Sequence, residues 1–405
     1  MNSIDLDKYR NIKDDIADKL IEDLYATIDK KEIGFLFKNL MHDLGEINYQ
    51  ELPQLFKEYF LNNQHFPEWI DMKKIKVAEK LFVTIGPEYG TCLICRSLPV
   101  GYVSANVVKL LCTTGYLSSN VKTGTAKRLL ETSQFILNVM KKDTFCKNTI
   151  GVKHILKVRF IHAMVRYHLS KNNWDTEKYG EPINQEDMSL TILTFSVGAI
   201  LGLDKLNVNL TLYEKDAMVH YWAVVGELIG MNSKLNPQDF KQGKELYDTI
   251  LSRQAKSSYD GVVLTRALSD FLKGTFLTNL DSSVFKSELF SSLNLKFKKN
   301  VVFKIMPEMT DYIIRFLIDD DKYSDMLSLA KPDRLHRKLI LFVSFKGITS
   351  LNSWRGYYLP DKIVQPFNKL FMNSMLNYFD AEFKMKLSIP REFSSAWGLS
   401  LKKFN

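Results

Sequence analysis

Residues 157–169 read KVRFIHAMVRYHL, and this stretch is the most informative in the chain for both fold and function. Its apolar residues recur mostly at three- and four-residue spacings, which is typical of an α-helix. On a helix, Arg159, His162 and Arg166 project from one side, because they stand three and four residues apart. Two guanidinium groups then flank an imidazole, and their charges favour its neutral form.

This cluster has two interpretations. A neutral imidazole offers a lone pair to a metal ion, and arginines at Arg159 and Arg166 suit carboxylates such as haem propionates. Alternatively, His162 is a hydrogen-bonded core histidine and the arginines pair with Asp or Glu of the chain itself. The spacing alone does not separate the two.

Helical periodicity extends outward from this stretch over most of the chain. It predicts helices within residues 16–33, 129–140, 191–206, 217–231, 262–276 and 309–317, whereas residues 339–345 suit a buried helix or a strand. Clusters of Gly, Ser, Thr and Asn predict long loops over residues 115–125 and 171–185. Asn184 or Asp187 is expected to cap the helix that follows the second loop.

The sequence therefore predicts an all-α protein with a single large helical domain. We expect residues 1–60 to form a helical extension, residues 61–290 the core, and residues 291–405 a C-terminal elaboration of the same domain. With 45% apolar and 25% charged residues, the composition is that of a globular protein.

The net charge of +9 permits nucleic acid as a partner. The lysines around residues 296–304 alternate with apolar residues, however, as on the solvated face of an amphipathic element. We therefore predict no nucleic-acid partner. Residues 1–19 lack a secretory pattern, and residues 188–203 fall short of the roughly 18 apolar residues that span a bilayer. A cytoplasmic protein without stable membrane insertion is expected, and the oligomeric state stays open.

Several catalytic patterns are missing from the sequence. It has no P-loop, GxGxxG, GxSxG or HExxH motif, so the corresponding chemistries lack their usual residues. Cys92 and Cys95 form a CxxC pair without a second half-site, and Cys112 and Cys146 stand alone. We predict that Cys92 and Cys95 are small buried residues of a core helix.

Four ordered blocks of the sequence resemble the latex-clearing proteins, a family of haem b rubber oxygenases in one superfamily with the oxygenase of mycophenolic-acid biosynthesis. The similarity covers residues 78–237, and its blocks are RLLETSQF (128–135), KVRFIHAMVRYHL (157–169), residues 172–203 and HYWAVVGELIGM (220–231). The resemblance implies an all-α fold with a globin-like core, haem b as cofactor, and cleavage of an isoprenoid double bond by O2.

The resemblance also implies roles for individual residues. His162 matches the axial ligand of the haem iron, and Arg159 and Arg166 match the arginines around it. Arg128 and Thr132 match the Arg and Thr of the distal-side motif, and Thr194 matches a threonine of the haem pocket. Together these matches favour the haem interpretation of the His162 cluster. His168 is expected at the surface or behind the site, because it lies off the face of His162.

Two departures from the family pattern concern the distal side. The rubber oxygenases carry a Lys directly before the motif Thr, where this chain has Glu131, and a carboxylate upstream, whereas this chain has no Asp or Glu over residues 90–130. One hypothesis is that Glu131 is the acid/base of the reaction; the other is that it only pairs with Arg128 on the same helix. We predict an oxygenase for a hydrophobic isoprenoid or lipid-like substrate, with a non-catalytic haem or lipid binding or sensing protein as the alternative.

Overall fold

The computed structural model describes residues 5–42, 53–114, 121–280, 299–331, 376, 379–380 and 387–397. These residues form helices and no strand; a single isolated bridge joins Ser104 and Ala255. The helices are α1 (Leu6–Tyr9), α2 (Asp15–Thr27), α3 (Lys30–His42), α4 (Gln54–Asn62), α5 (Met72–Cys92), α6 (Leu98–Gly101), α7 (Ala105–Thr113), α8 (Val121–Val139), α9 (Ile150–Lys171), α10 (Thr176–Tyr179), α11 (Gln185–Leu193), α12 (Ala199–Lys205), α13 (Leu212–Leu228), α14 (Phe240–Gln254), α15 (Tyr259–Leu280), α16 (Lys299–Ile318), α17 (Asp321–Met326) and α18 (Arg391–Ala396). The all-α prediction is confirmed.

Helix α13 is the centre of the fold. It begins with a capping box between Thr211 and Glu214, and every residue from 217 to 226 is buried. A helix that is apolar all round must be covered on all sides, so α5, α9, α11 and α14 pack against it. One contiguous core of buried apolar side chains extends from Leu6 to Trp397.

Two single π-helical turns face each other across the core. Residues Leu93–Ser97 interrupt the helix that α5 begins, and residues Thr194–Gly198 interrupt the one that α11 begins. The Ser97 hydroxyl donates a hydrogen bond to the Thr194 carbonyl at 2.8 Å, and Nη1 of Arg96 donates to the Gly198 carbonyl at 3.0 Å. Such turns are common at functional sites, since they redirect side chains within a helix.

The structure corrects two of the predicted boundaries. Residues 16–33 form two helices rather than one, because Ile28 is extended (φ −122°, ψ 145°) and ends α2. Residues 121–125 belong to α8, so the first predicted loop is wrong over that part, whereas residues 115–120 lie outside the described residues. The second loop is confirmed apart from the short α10, and Asn184 caps α11 by accepting a hydrogen bond from the Asp187 N–H at 3.0 Å.

Other predictions fall on residues of which the structure says less. Residues 291–298 and 332–375, with the segment 339–345, lie outside the described residues, as do the side chains of Lys296, Lys298, Lys299 and Lys304.

Residues Gln185–Lys205 are long and apolar enough to cross a membrane, but 72% of the most apolar window is buried inside the fold. Core helices of globular proteins have this property too.

Candidate active site

A cavity with a volume of about 390 Å³ lies among the predicted residues. It lies between α7, α8, α9, α11 and α13, and we call it the histidine cavity. Its walls are mostly apolar; its polar lining residues include Arg128, Glu131, Thr132, Lys157, His162 and Asp187. A mostly apolar cavity with a few convergent polar groups is the usual form of a small-molecule site.

His162 reaches this cavity from the middle of α9. The helix begins at Thr149, whose hydroxyl accepts a hydrogen bond from the Val152 N–H at 3.3 Å. Burial and the nearby Arg166 charge lower the pKa of His162 to about 3, so the imidazole is neutral at pH 7. Its Nδ1 atom is buried and has no hydrogen-bond partner among the described residues. A core histidine whose hydrogen bonds are satisfied would have a partner at Nδ1, and the described residues provide none.

Arg159 and Arg166 point to α2 rather than to the cavity. Arg159 donates to both carboxylate oxygens of Asp14, through Nε at 2.6 Å and Nη2 at 2.8 Å. Arg166 donates through Nε to Asp18 at 2.7 Å, while its two outer nitrogens are buried without hydrogen-bond partners. Neither arginine lines either of the two cavities described here. Their assignment to a cofactor stays a prediction, and the chain itself supplies the counter-charges.

Glu131 faces the histidine cavity from α8. Burial raises the pKa of its carboxyl, although the charges of Lys127, Arg128 and Lys157 oppose this shift. Its ion pair is with Lys127, one turn earlier, at 3.8 Å, and not with Arg128 as one hypothesis expected. The Oε1 atom is buried without a hydrogen-bond partner. The carboxyl is thus a protonatable group at the wall of the cavity that His162 also lines.

An adjoining cavity of about 200 Å³ meets the histidine cavity at α8. Arg128 and Thr132 line both cavities, whereas Thr194 lines only the adjoining one and donates its hydroxyl to the Thr191 carbonyl at 2.6 Å. Both π-helical turns contribute to the adjoining wall, through Leu93 and Phe195 among others. The predicted residues Arg128, Glu131, Thr132, Thr194 and His162 are therefore grouped around two connected spaces.

Three further titratable residues line the histidine cavity, and the sequence assigned none of them to the site. His154 lies two helical turns before His162 and contacts the Asn138 amide at 3.3 Å, and Lys157 lies between the two histidines. Asp187 accepts hydrogen bonds from Gln254 at 3.0 Å and Asn184 at 2.9 Å, and burial raises its pKa to about 6. The sequence could have indicated His154 and Lys157, since both lie on α9, the helix that carries His162.

The remaining motif predictions agree with the structure. Cys92 and Cys95 are buried, and burial raises the pKa of both thiols, that of Cys95 to about 12. Within the described residues no group of three His, Cys, Asp or Glu side chains is placed to hold a metal ion. His168 is at the surface, with Nε2 at 3.2 Å from the Tyr25 hydroxyl.

Comparison with known proteins identifies the family. Residues 93–337 match the model described as ER-bound oxygenase mpaB/B'/Rubber oxygenase, catalytic domain. The chain belongs to this family. Membership confirms the resemblance seen over residues 78–237 and makes the protein an oxygenase, for which O2 and a small-molecule substrate are implied.

A solved structure has the same fold as this oxygenase. The structure of latex clearing protein LCP in the closed state matches with a TM-score of 0.66 and 17% sequence identity, over 96% of this chain and 95% of that chain. At this identity the likeness concerns the all-α fold alone. No curated protein matches the chain.

Proposed function

We propose that this protein is a haem b-dependent oxygenase that uses O2 to cleave or oxidise a carbon–carbon double bond of a hydrophobic substrate, with His162 as the axial ligand of the iron. The observation that carries the proposal is the position of His162, which lines a largely apolar cavity of about 390 Å³ and has an Nδ1 atom without a hydrogen-bond partner. Family membership supports the oxygenase activity itself.

The residues present fit a haem group by their chemistry. A neutral imidazole is the form that binds iron, and burial together with Arg166 favours that form at His162. Lys157 provides positive charge at the wall of the histidine cavity, which suits a cofactor that carries carboxylates. When bound, haem b would supply the redox-active iron that O2 chemistry requires.

Glu131 is the residue that we assign to proton transfer. Its carboxyl faces the same cavity as His162, and the apolar surroundings favour its protonated form. A carboxyl whose pKa is raised above the usual range gives up and takes back a proton more readily near the working pH, so it can deliver the proton to oxygen or substrate and recover it. Arg128 and Thr132, at the junction of the two cavities, would orient the substrate beside it.

A second candidate is a non-catalytic haem or lipid binding or sensing protein on the same scaffold. Two sequence observations favour it: Glu131 stands where the resembling rubber oxygenases have a Lys, and residues 90–130 contain no carboxylate. Glu131 also has an ion-pair partner in Lys127, so a purely structural role is available to it.

The absorption spectrum of the protein, purified after expression with haem supplied, tests the cofactor. We expect a Soret band that is lost in His162→Ala and retained in His168→Ala, an exposed histidine of the same helix. His154→Ala is the sharper control, because His154 lines the same cavity. A wild-type protein without a Soret band, or a His162→Ala variant with an unchanged spectrum, would contradict the haem assignment.

Oxygen uptake separates the two candidates. With a panel of isoprenoid and lipid alkenes, the oxygenase consumes O2, and Glu131→Gln retains haem but loses most of this uptake, on the order of 10²-fold. Haem binding without uptake on any substrate of the panel favours the sensing protein. Full turnover by Glu131→Gln would exclude the proposed role of that carboxyl.

A further inference from the structure

The adjoining cavity is an apolar pocket with a polar end. Its walls are mainly aliphatic and aromatic, formed in part by Phe82, Ile94, Leu264 and Trp397. An apolar cavity of about 150 Å³ holds a benzene-sized group, so a volume of about 200 Å³ suits an apolar tail of about six to eight carbon atoms. The pocket therefore has room for one short hydrocarbon chain.

The polar end of this pocket contains a cation that has no ion-pair partner among the described residues. Arg128 lines both cavities and is only partly exposed, and it makes no ion pair or hydrogen bond with any residue of the described part of the chain. Its charge acts in both spaces, since it partly opposes the rise that burial causes in the pKa of Tyr102 at the adjoining cavity and in the pKa of Glu131 at the histidine cavity. Glu131 itself is paired with Lys127.

A second unpartnered group lies at the same cavity. Thr125 is one turn before Arg128 on α8, is 5% exposed, and has a buried hydroxyl without a hydrogen-bond partner. A buried hydroxyl and a half-buried guanidinium that both lack partners are costly in an apolar pocket unless a ligand satisfies them. The group that satisfies both is an oxygen anion, because each of these side chains can donate a hydrogen bond to it.

We propose that the substrate is an unsaturated acid whose carboxylate pairs with Arg128 and whose apolar tail occupies the adjoining cavity. This inference rests on the proposed function for the existence of a substrate, and it adds the chemical class. The carboxylate would accept hydrogen bonds from the Arg128 guanidinium and the Thr125 hydroxyl. At the junction of the two cavities, the bound acid would lie next to the histidine cavity, which His162 and Glu131 line.

Calorimetric titration of the purified protein with geranic acid, geraniol and methyl geranate tests the proposal, with haem content measured on the same samples. These ligands share one unsaturated chain and differ in the head group. Charge-assisted hydrogen bonds predict that the acid binds about ten- to a hundredfold more tightly than the alcohol or the ester. Arg128→Met should remove this preference and Arg128→Lys should keep part of it, whereas Arg266→Met, which removes an exposed arginine of α15, should leave it unchanged.

A variant that fills the pocket tests the position of the tail. Gly90 lines the adjoining cavity, and a Cβ added there meets no atom within 4 Å. Gly90→Leu should therefore fold normally and bind geranic acid about tenfold more weakly. An unchanged affinity in Gly90→Leu would overturn the placement of the tail.

The haem carboxylates are the other source of the same chemistry, and the titration separates them from the substrate. If the wild-type protein does not distinguish acid from alcohol while Arg128→Met loses haem, the partner of Arg128 belongs to the cofactor and the proposal is overturned. Retained acid preference in Arg128→Met would overturn it as well. A missing Soret band contradicts the proposed function instead, because the acid preference is measured by binding alone.

Discussion

Replacing Asp14 by asparagine is expected to destabilise the protein by about 3–5 kcal/mol. Asp14 and Arg159 are 4% and 9% exposed at their side chains, and two hydrogen bonds of 2.6 and 2.8 Å join them. Without the carboxylate, a buried guanidinium keeps its charge and loses its counter-charge, which is the costly case for buried ion pairs. The asparagine retains an oxygen to cap α2, where Asp14 accepts from the Ala17 N–H at 3.4 Å, so the capping contribution changes little.

Urea unfolding followed by circular dichroism measures this loss. For a slope of about 2–3 kcal/mol per M, the expected shift of the midpoint is about 1–2.5 M. Asp23→Asn is the matched control, because Asp23 lies on the same helix and pairs with Lys19 at 2.7 Å in a largely exposed position. Its expected effect is at most about 0.5 kcal/mol.

Equal midpoints for Asp14→Asn and Asp23→Asn would refute this reasoning. A double variant, Asp14→Leu with Arg159→Met, distinguishes charge from packing, since removing both charges eliminates the unpaired guanidinium. It should recover most of the stability that Asp14→Asn loses. A double variant as unstable as the single one would show that packing of α2, and not the unpaired charge, causes the loss.

Two further predictions concern stability. Gly202→Ala should destabilise the protein by about 1–3 kcal/mol, because the new Cβ would lie 2.8 Å from the Cβ and Sγ atoms of Cys92. Gly34→Ala, whose added Cβ meets no atom within 4 Å, should stabilise the protein by about 0.5–1 kcal/mol in the same urea assay. If both variants changed the free energy of unfolding in the same direction, the packing described around these two glycines would be contradicted. Burial and the Asp143 charge raise the pKa of Glu79 from 4.5 to about 7. Since the folded state then binds the proton more tightly, stability should fall by about 1–2 kcal/mol as the pH rises from about 4.5 to 7. Glu79→Gln should show a smaller fall, and an unchanged pH profile would exclude Glu79 as its source.

Apolar periodicity predicted the helices around residues 157–169 and 217–231 correctly, since these patterns correspond to α9 and α13. The pattern over residues 16–33 missed the break at Ile28, because partly buried apolar residues continue at helical spacing across it. Residues 121–125 looked like a loop by their Gly and Thr content, but they are the first turns of α8, a helix that packs on α9 and α15.

Within the candidate site, the sequence located the right helices but not all the partners. The spacing on α9 and the motif on α8 singled out His162, Arg128 and Glu131, and the fold brings these residues to one cavity. The carboxylates that pair with Arg159 and Arg166 are about 145 residues away in the chain, so no local spacing could indicate them.

By itself, the sequence determined the helical class and the oxygenase family, because periodicity and ordered motifs are local properties of the chain, and it predicted the residues of the site. Only the tertiary structure decided which of these residues face the cavity. Side chains of one helix differ in their surroundings, because a different element packs against each of them. Helix α2 brings carboxylates to Arg159 and Arg166, whereas α8 and α11 leave a space in front of His162. Burial then shifts the pKa values, since desolvation lowers that of His162 and raises that of Glu131 through neighbours that are distant in sequence.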